Sequence, residues 1–356
     1  MIPHAALAAL AALAPVQDPV EGIESFRVKS ELLSDFMERE TFLEAGVVIP
    51  PEFEPGDPVC FNIHGFGGSH RGAWTQGAQL RRWMQSADYP RMLYVYPNAN
   101  GSFGHTGFAD SVNNGPWARA FVEELLPAVE SFFGAGGSPD ARFLTGHSSG
   151  GWAALWLQIT HPETFGGAWA TAPDAVDFRD LSGVDLYAFT NAFVDPKGTE
   201  IPVVRQGGQF VMTARQVSKS KEYLAQMLAL EAAFSPRGDD GRPLPLIDRE
   251  SGAINRNAAE AWSRYDIRRL VEARAEALRK PLAGKLHVFV GDWDTFRLDG
   301  SVRLLESALA ALEIVATFVY APERDHFDLL QPHPELWPEA LLTRIHREMR
   351  SAYDTR

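Results

Sequence analysis

The sequence predicts an α/β fold, in which helices cover both faces of a mostly parallel β-sheet. Two observations lead to this prediction. Short apolar runs rich in β-branched and aromatic residues end in glycine or proline, as buried strands do where they meet loops. Between these runs lie segments with helical periodicity, and strands that alternate with helices are typical of parallel sheets.

Seven runs are predicted to be strands of this sheet. They cover residues 41–49, 59–63, 92–96, 142–145, 167–172, 286–290 and 315–320. The second run contains the only cysteine, Cys60, which is expected to pack as a small buried hydrophobe. A single cysteine permits no disulfide within the chain, so cysteine content does not indicate the redox compartment.

Three helices are predicted between the strands. The clearest covers residues 116–133, where proline stands in the first turn, apolar residues recur at helical spacing and Gly134 ends the pattern. The other two cover residues 152–160 and 301–312, and Asp299 is expected to be the N-cap of the last one.

The alternation is interrupted between residues 177 and 281, where loop-like segments precede a charged helical run over residues 258–280. An insertion of this length after a central strand is expected to lie over the carboxyl end of the sheet as a cap. We therefore predict one domain over residues 21–356, with residues 177–281 inserted into it.

Residues 1–20 are predicted to form a leader outside this domain. Its Ala- and Leu-rich run, residues 1–14, is similar to the apolar region of a secretory signal, which favours a secreted or periplasmic protein over a cytoplasmic one. No Lys or Arg precedes the run and Pro15 suits cleavage poorly, so a disordered or short helical leader is the alternative. No later segment approaches the ~20 apolar residues of a membrane span, so no stable span is expected.

The charge pattern argues against a nucleic-acid partner. The formal net charge is −13, and Lys and Arg are scattered along the chain instead of being clustered.

Residues 142–152 read as a strand, a tight turn and a helix, and the turn has the sequence Gly-His-Ser-Ser-Gly at residues 146–150. In a nucleophile elbow the serine is held in a strained conformation at the top of the sheet, and glycines two residues away on either side prevent clashes. Ser148 is therefore the predicted nucleophile, and the fold is expected to be the α/β-hydrolase fold.

A serine nucleophile needs a histidine base that is oriented by a carboxylate, and in this fold the chain order is Ser, acid, His. Asp292 and Asp294 follow the predicted strand 286–290, and His326 follows the strand 315–320. We predict His326 as the base and Asp294 as the acid. Asp292 is the alternative acid or a turn residue, His333 is the fallback base, and His147 is expected to point away from the serine.

The sequence His-Gly-Phe-Gly-Gly at residues 64–68 follows an early strand, where the oxyanion loop of this fold belongs. An oxyanion must be met by pre-aimed N–H groups. The predicted donors are the N–H of Ser149 and that of Phe66, with Gly67 as the next choice. A phosphate-binding loop is disfavoured because the lysine and the spacing of a P-loop are missing.

Taken together, these motifs resemble the putative esterase family, which includes feruloyl and acetyl xylan esterases, S-formylglutathione hydrolases, enterochelin esterases and mycolyltransferases. The resemblance rests on residues 64–68, Ser148, Asp294 in Asp-Thr-Phe, His326 in Asp-His-Phe and Val-Val-Ile-Pro at residues 47–50. It spans about residues 41–172 and 285–334, and it implies a carboxylic-ester hydrolase without a cofactor. The long segment 177–281 departs from the family and leaves the substrate class open.

The sequence thus predicts a serine carboxylic-ester hydrolase that forms a covalent acyl-enzyme with a small-molecule or glycan-linked ester. Trp152, Trp293 and Phe327 are candidate pocket residues, although core packing is the alternative for each aromatic residue. No metal site is expected. An acyltransferase or a peptidase would share the first step, and an inactive hydrolase-like binding protein is the alternative from another class. The sequence does not determine the oligomeric state.

Overall fold

The computed structural model describes residues 20–86 and 89–355, so the predicted leader lies outside the described residues except for Val20. Eight strands form one sheet with the order β1-β2-β4-β3-β5-β6-β7-β8. The strands are β1 (Ile23–Lys29), β2 (Phe42–Val48), β3 (Val59–Ile63), β4 (Leu93–Pro97), β5 (Arg142–His147), β6 (Gly167–Thr171), β7 (Leu286–Gly291) and β8 (Thr317–Ala321).

The sheet is mostly parallel. β2 pairs antiparallel with both β1 and β4, whereas every neighbouring pair from β4 to β8 is parallel. The central strands are almost wholly buried, as parallel strands covered by helices are. The predicted fold class is confirmed, and the seven predicted strands correspond to β2 through β8. Cys60 is fully buried in β3, where burial raises the pKa of its thiol.

Twelve α-helices in the described residues accompany the sheet: α1 (Glu31–Met37), α2 (Ala78–Trp83), α3 (Trp117–Ala120), α4 (Leu126–Phe133), α5 (Ser149–Thr160), α6 (Ala214–Val217), α7 (Lys221–Phe234), α8 (Arg256–Trp262), α9 (Ile267–Ala273), α10 (Ala275–Leu282), α11 (Leu298–Ala311) and α12 (Leu341–Asp354). A π-helical turn, Phe121–Leu125, joins α3 to α4, so these elements form the predicted helix 116–133. Among the described residues, no helix has both the length and the hydropathy needed to cross a membrane.

The inserted segment, residues 177–281, lies between β6 and β7 in the chain and contains α6 to α9, most of α10 and a hairpin of Pro202–Gln206 and Gln209–Thr213. The predicted helical run 258–280 is in fact three helices. The break before α9 is made by the buried Asp266, whose carboxylate accepts the Arg269 N–H at 3.0 Å as the N-cap. The second break falls at Arg274, between α9 and α10.

The hairpin of the inserted segment is fixed to the loop that follows β7. The Arg205 N–H donates to the Thr295 carbonyl at 2.8 Å, and its guanidinium donates to the Asp292 carbonyl at 3.1 Å and to Asp299 Oδ1 at 2.7 Å. The expectation that Asp299 caps α11 is therefore wrong. Asp299 lies within the first turn of that helix, and its carboxylate pairs with Arg205 of the hairpin.

Candidate active site

Ser148 occupies the turn between β5 and α5 with φ 59° and ψ −125°, a conformation that L-residues rarely adopt. Its N–H donates to the Thr171 carbonyl of β6 at 3.0 Å. A Cβ on Gly146 would lie 2.3 Å from the Gly150 carbonyl oxygen, and a Cβ on Gly150 would lie 2.0 Å from the Ile63 carbonyl oxygen. Both positions therefore require glycine, and the turn has the geometry of a nucleophile elbow.

His326 and Asp294 lie together at the same edge of the sheet. His326 Nδ1 is 2.9 Å from Asp294 Oδ2, and both residues are buried. The other carboxylate oxygen, Oδ1, accepts the N–H groups of Phe296 at 2.9 Å and Leu298 at 3.1 Å. The bond to Asp294 places the proton of a neutral His326 ring on Nδ1, which leaves a lone pair on Nε2.

The alternative acid and the fallback base lie in other settings. The Asp292 carboxylate accepts the Glu323 N–H at 2.7 Å and so joins the loops that follow β7 and β8. The His333 ring accepts the N–H groups of Glu335 and Leu336 through Nδ1, at 3.3 and 3.2 Å. The His333 ring thus stabilises a local turn, whereas the Asp292 side chain binds the backbone of a distant loop instead of its own turn.

His147, next to Ser148 in sequence, packs against the predicted base. The ring centroids of His147 and His326 are 4.5 Å apart, and His147 Nδ1 is 3.0 Å from Thr171 Oγ1. Burial lowers the pKa of His147 to about 4, so its ring is neutral at pH 7. The sequence did not predict this contact, in which a neutral ring supports one side of His326.

The loop at residues 64–68 follows β3 and adjoins Ser148, because a Cβ on Gly65 would lie 3.4 Å from Ser148 Cβ. Within the described residues, the N–H groups of Phe66 and Gly67 donate to no protein acceptor. Ser149 is the first residue of α5, where N–H groups have no intrahelical acceptor. The predicted donors are therefore free to bind an oxygen atom of a ligand.

Two histidines hold this loop. His105 Nδ1 accepts the Gly107 N–H at 3.1 Å, so its Nε2–H donates to the His64 carbonyl at 2.8 Å. His64 Nε2 accepts the Ala99 N–H at 3.0 Å, so its Nδ1–H donates to the Gly65 carbonyl at 2.8 Å. Burial lowers the pKa of both rings, that of His105 to about 3, and both stay neutral at pH 7. The contribution of His105 was not predicted from the sequence.

A cavity of about 820 Å³ opens at this edge of the sheet. Ser148, His326 and all residues of the loop 64–68 except Gly67 line it, and side chains of the inserted segment form much of the remaining wall. The volume is near the upper end of ligand-binding pockets, which measure about 300–1,000 Å³. In the described part of the chain, no three His, Cys, Asp or Glu side chains are grouped as metal ligands would be.

Asp174 lines the cavity beside Ser148 and was not identified from the sequence. Its Oδ1 accepts the Ser148 hydroxyl at 3.3 Å, and its Oδ2 accepts the Ser149 hydroxyl at 2.5 Å. Burial raises the pKa of this carboxyl, and the hydrogen bond from Ser149 opposes the shift. The sequence offered the same signal for Asp174 as for Asp294 and His326, because each of these residues follows shortly after a predicted strand.

The three predicted pocket residues have different positions. Trp152 is buried in the cavity wall, and its Nε1–H has no acceptor among the described residues. Phe327 is 72% exposed at the cavity, with its ring 5.4 Å from that of His326. Trp293 does not line the cavity. Its indole lies against Gly208 at the tip of the hairpin, where a Cβ would be 2.8 Å from the ring.

Comparison with known families yields one match. The family described as Putative esterase matches residues 41–327, which is most of the chain and includes every predicted site residue. None of the curated proteins matches this sequence.

Several solved structures share the fold. A ferulic acid esterase is 17% identical with a TM-score of 0.55, and 93% of this chain and 98% of that chain are covered. An S-formylglutathione hydrolase from Agrobacterium tumefaciens is 18% identical with a TM-score of 0.55, covering 95% and 98%. The S-formylglutathione hydrolase FrmB from Staphylococcus aureus is 13% identical with a TM-score of 0.51, covering 92% and 99%. At these sequence identities, the similarity shows that the chain shares the α/β-hydrolase fold with these proteins.

Proposed function

The chain belongs to the putative esterase family and is a carboxylesterase-type serine hydrolase, and from this premise we propose that it hydrolyses esters through a covalent acyl-enzyme on Ser148. The observation that carries this proposal is the 2.9 Å contact between His326 Nδ1 and Asp294 Oδ2, at a cavity that Ser148 also lines. A nucleophile at a strained turn and a carboxylate-oriented histidine are the two parts that acyl transfer needs.

In the first step, the Ser148 hydroxyl turns from Asp174 towards His326. His326 Nε2 takes the hydroxyl proton while Oγ forms a bond to the ester carbonyl carbon. The resulting oxyanion is bound by the N–H of Ser149 and by that of Phe66, with Gly67 as the alternative donor. Asp294 keeps the His326 ring oriented and stabilises the imidazolium that forms.

In the remaining steps, the tetrahedral intermediate collapses and the bond to the alcohol oxygen breaks. The imidazolium of His326 donates its Nε2 proton to that oxygen, and the alcohol leaves. A water molecule then gives a proton to His326 Nε2 while its oxygen attacks the acyl carbonyl carbon. When the bond between that carbon and Ser148 Oγ breaks, His326 returns the proton to Oγ and the acid departs. No cofactor takes part in this scheme.

We further propose that the inserted segment, residues 177–281, is the cap that selects the substrate. Its side chains line the cavity, and its hairpin is held on the loop that carries Asp294 through Arg205. The substrate would be a small-molecule or glycan-linked ester, with Trp152 in the cavity wall and Phe327 at its exposed side.

The proposed role of Ser148 is tested with a fluorophosphonate probe and with p-nitrophenyl acetate. The wild-type protein should be labelled at Ser148 and should hydrolyse the ester, whereas Ser148→Ala should be unlabelled and should lose at least about 10⁴-fold in kcat. Ser307→Ala, an exposed serine on α11, is the matched control and should behave as wild type. Full activity in Ser148→Ala would refute the proposal.

A further inference from the structure

The side chains that line the cavity beside Ser148 differ in how far they are exposed to solvent. The charged side chains of Arg71 and Glu222 line it where they are exposed to solvent, and Phe327 is also exposed there. Several other lining side chains, including Trp152 and Trp262, are almost fully buried, so protein covers the end of the cavity that they form. A group bound at that end is removed from water.

The closed end is an aromatic pocket formed by Trp152, Phe178, Phe234 and Trp262, all at most 3% exposed and all lining the cavity. The rings form a continuous series, with centroid distances of 4.9 Å between Trp152 and Phe234, 5.1 Å between Phe234 and Trp262, and 5.8 Å between Trp262 and Phe178. The Trp262 Nε1–H is already bonded to Ser235 Oγ at 2.8 Å. Three of the four rings belong to the inserted segment.

The position of this pocket relative to the oxyanion loop indicates which half of an ester it receives. Helix α7, which carries Phe234, lies near the oxyanion loop, because Gly104 approaches both of them. A Cβ on Gly104 would be 3.2 Å from Ala229 Cβ on α7 and 3.8 Å from the Phe66 ring of the loop. His326 borders the exposed Phe327 instead. Because the departing alcohol must take its proton from His326, the alcohol lies on the exposed side and the acyl group points towards α7.

We propose that the aromatic pocket is an acyl-binding site and that the preferred substrates are esters of long apolar acyl groups. The proposal rests on the esterase function proposed above and names the substrate class of the same site. The cavity of about 820 Å³ is far larger than a formyl or acetyl group requires, and the pocket wall is aromatic, with the Trp152 Nε1–H as its unpaired polar group. Burial of each methylene in such a wall raises kcat/KM by up to about fourfold.

The first experiment measures kcat/KM of the wild-type protein for p-nitrophenyl esters from acetate to dodecanoate, which share one leaving group. We expect a rise of about two- to fourfold per methylene from acetate to at least hexanoate, followed by a plateau or a fall once the pocket is full. A parallel series of acetate esters with longer alcohols should be nearly flat. A rise in the alcohol series alone would overturn the assignment of the pocket to the acyl group.

The second experiment fills the pocket from α7. Ala233 is buried and lines the cavity, so Ala233→Phe should lower kcat/KM for the octanoate at least tenfold and change that for the acetate by less than threefold. Ala225→Phe places the same ring on the exposed side of the same helix and should leave both values unchanged. The acetate activity of each variant reports whether it is folded. Equal losses on both esters, in a variant with a wild-type melting temperature, would contradict the proposal.

The outcomes separate this proposal from the one before it. If Ser148-dependent hydrolysis of the acetate occurs without any gain from chain length, the esterase function stands and the acyl-binding site is refuted. If no ester is hydrolysed in a Ser148-dependent manner, both fail. A feruloyl ester that is hydrolysed faster than the octanoate would show selection of an oxygen-bearing aryl group by the unpaired Trp152 N–H, and would also overturn the proposal.

Discussion

Replacing Asp294 with Asn should remove most of the esterase activity because of how the carboxylate is held. Asp294 Oδ1 accepts the N–H groups of Phe296 and Leu298, and Oδ2 faces His326 Nδ1. An Asn side chain that keeps its oxygen on the two N–H groups must present its NH₂ to His326. The ring then accepts at Nδ1 and carries its proton on Nε2, so that it cannot take the proton of Ser148.

The size of the loss follows from the cost of the opposite amide orientation. Turning the Asn by 180° restores the bond to His326 but leaves two buried N–H groups without an acceptor, at about 1–3 kcal/mol each. The turned state is thus disfavoured by about 2–6 kcal/mol, which corresponds to a population of at most about 3%. We therefore expect kcat/KM to fall by at least about 30-fold, and by up to the ~10⁴-fold typical of a triad in the wrong tautomer.

The assay is kcat/KM for p-nitrophenyl acetate, with the melting temperature measured by circular dichroism. Asp292→Asn is the matched control two residues away, where the Asn oxygen can still accept the Glu323 N–H, and its activity should remain within about threefold of wild type. If Asp294→Asn kept more than a tenth of the activity, or if Asp292→Asn lost as much, the role proposed for Asp294 would be refuted.

Two further predictions concern ionisable groups. Asp174→Asn removes a charge next to Ser148. At pH 8, the ratio of kcat/KM for p-nitrophenyl hemisuccinate to kcat/KM for p-nitrophenyl butyrate should therefore rise about tenfold, which is the effect of a charge ~6 Å away at an effective dielectric constant of about 40. An unchanged ratio would show that the carboxylate does not act on the acyl group. Burial lowers the pKa of His346 to about 3. Between pH 6.5 and pH 3 the unfolded chain therefore binds more protons at this residue than the folded chain does. The free energy of unfolding consequently decreases as the pH falls through this range. In urea unfolding, the stability of wild type relative to His346→Leu should therefore fall by up to about 1.4 kcal/mol per pH unit between pH 6 and pH 4, and a difference independent of pH would contradict the assignment.

The central strands could be predicted because burial on both faces leaves a direct trace in the sequence, namely an apolar run that ends at a turn residue. The edge strand β1 leaves no such trace, since polar residues such as Glu24, Ser25 and Arg27 interrupt it. The break before α9 could not be predicted for a different reason. The Asp266 carboxylate that caps this helix also accepts the Phe178 N–H at 3.0 Å and the Tyr187 hydroxyl at 2.6 Å, and both partners are distant in the chain.

The positions of Ser148, Asp294 and His326 could be predicted because each lies at or shortly after the end of a strand, and the ends of neighbouring parallel strands meet at one edge of the sheet. The same reasoning applies to Asp174 after β6, which was overlooked. The direction of an aromatic side chain beside these residues does not follow from strand position. Trp293 lies next to Asp294 in sequence, yet the hairpin of the inserted segment covers it at Gly208.

The hairpin and helix α7 of the inserted segment should affect ester hydrolysis in different ways. The hairpin contacts the loop that carries Asp294, because Arg205 binds the Asp292 carbonyl and the Asp299 carboxylate. Changes at Arg205 should therefore lower the rate for short and long acyl esters alike, since they shift the loop whose Asp294 carboxylate contacts His326. Helix α7 contributes Phe234 and Ala233 to the cavity wall, far along the chain from that loop. Substitutions of the α7 residues that line the cavity should alter the relative rates for short and long acyl groups. Comparing the two regions with the same pair of esters therefore separates substrate selection from the chemical step.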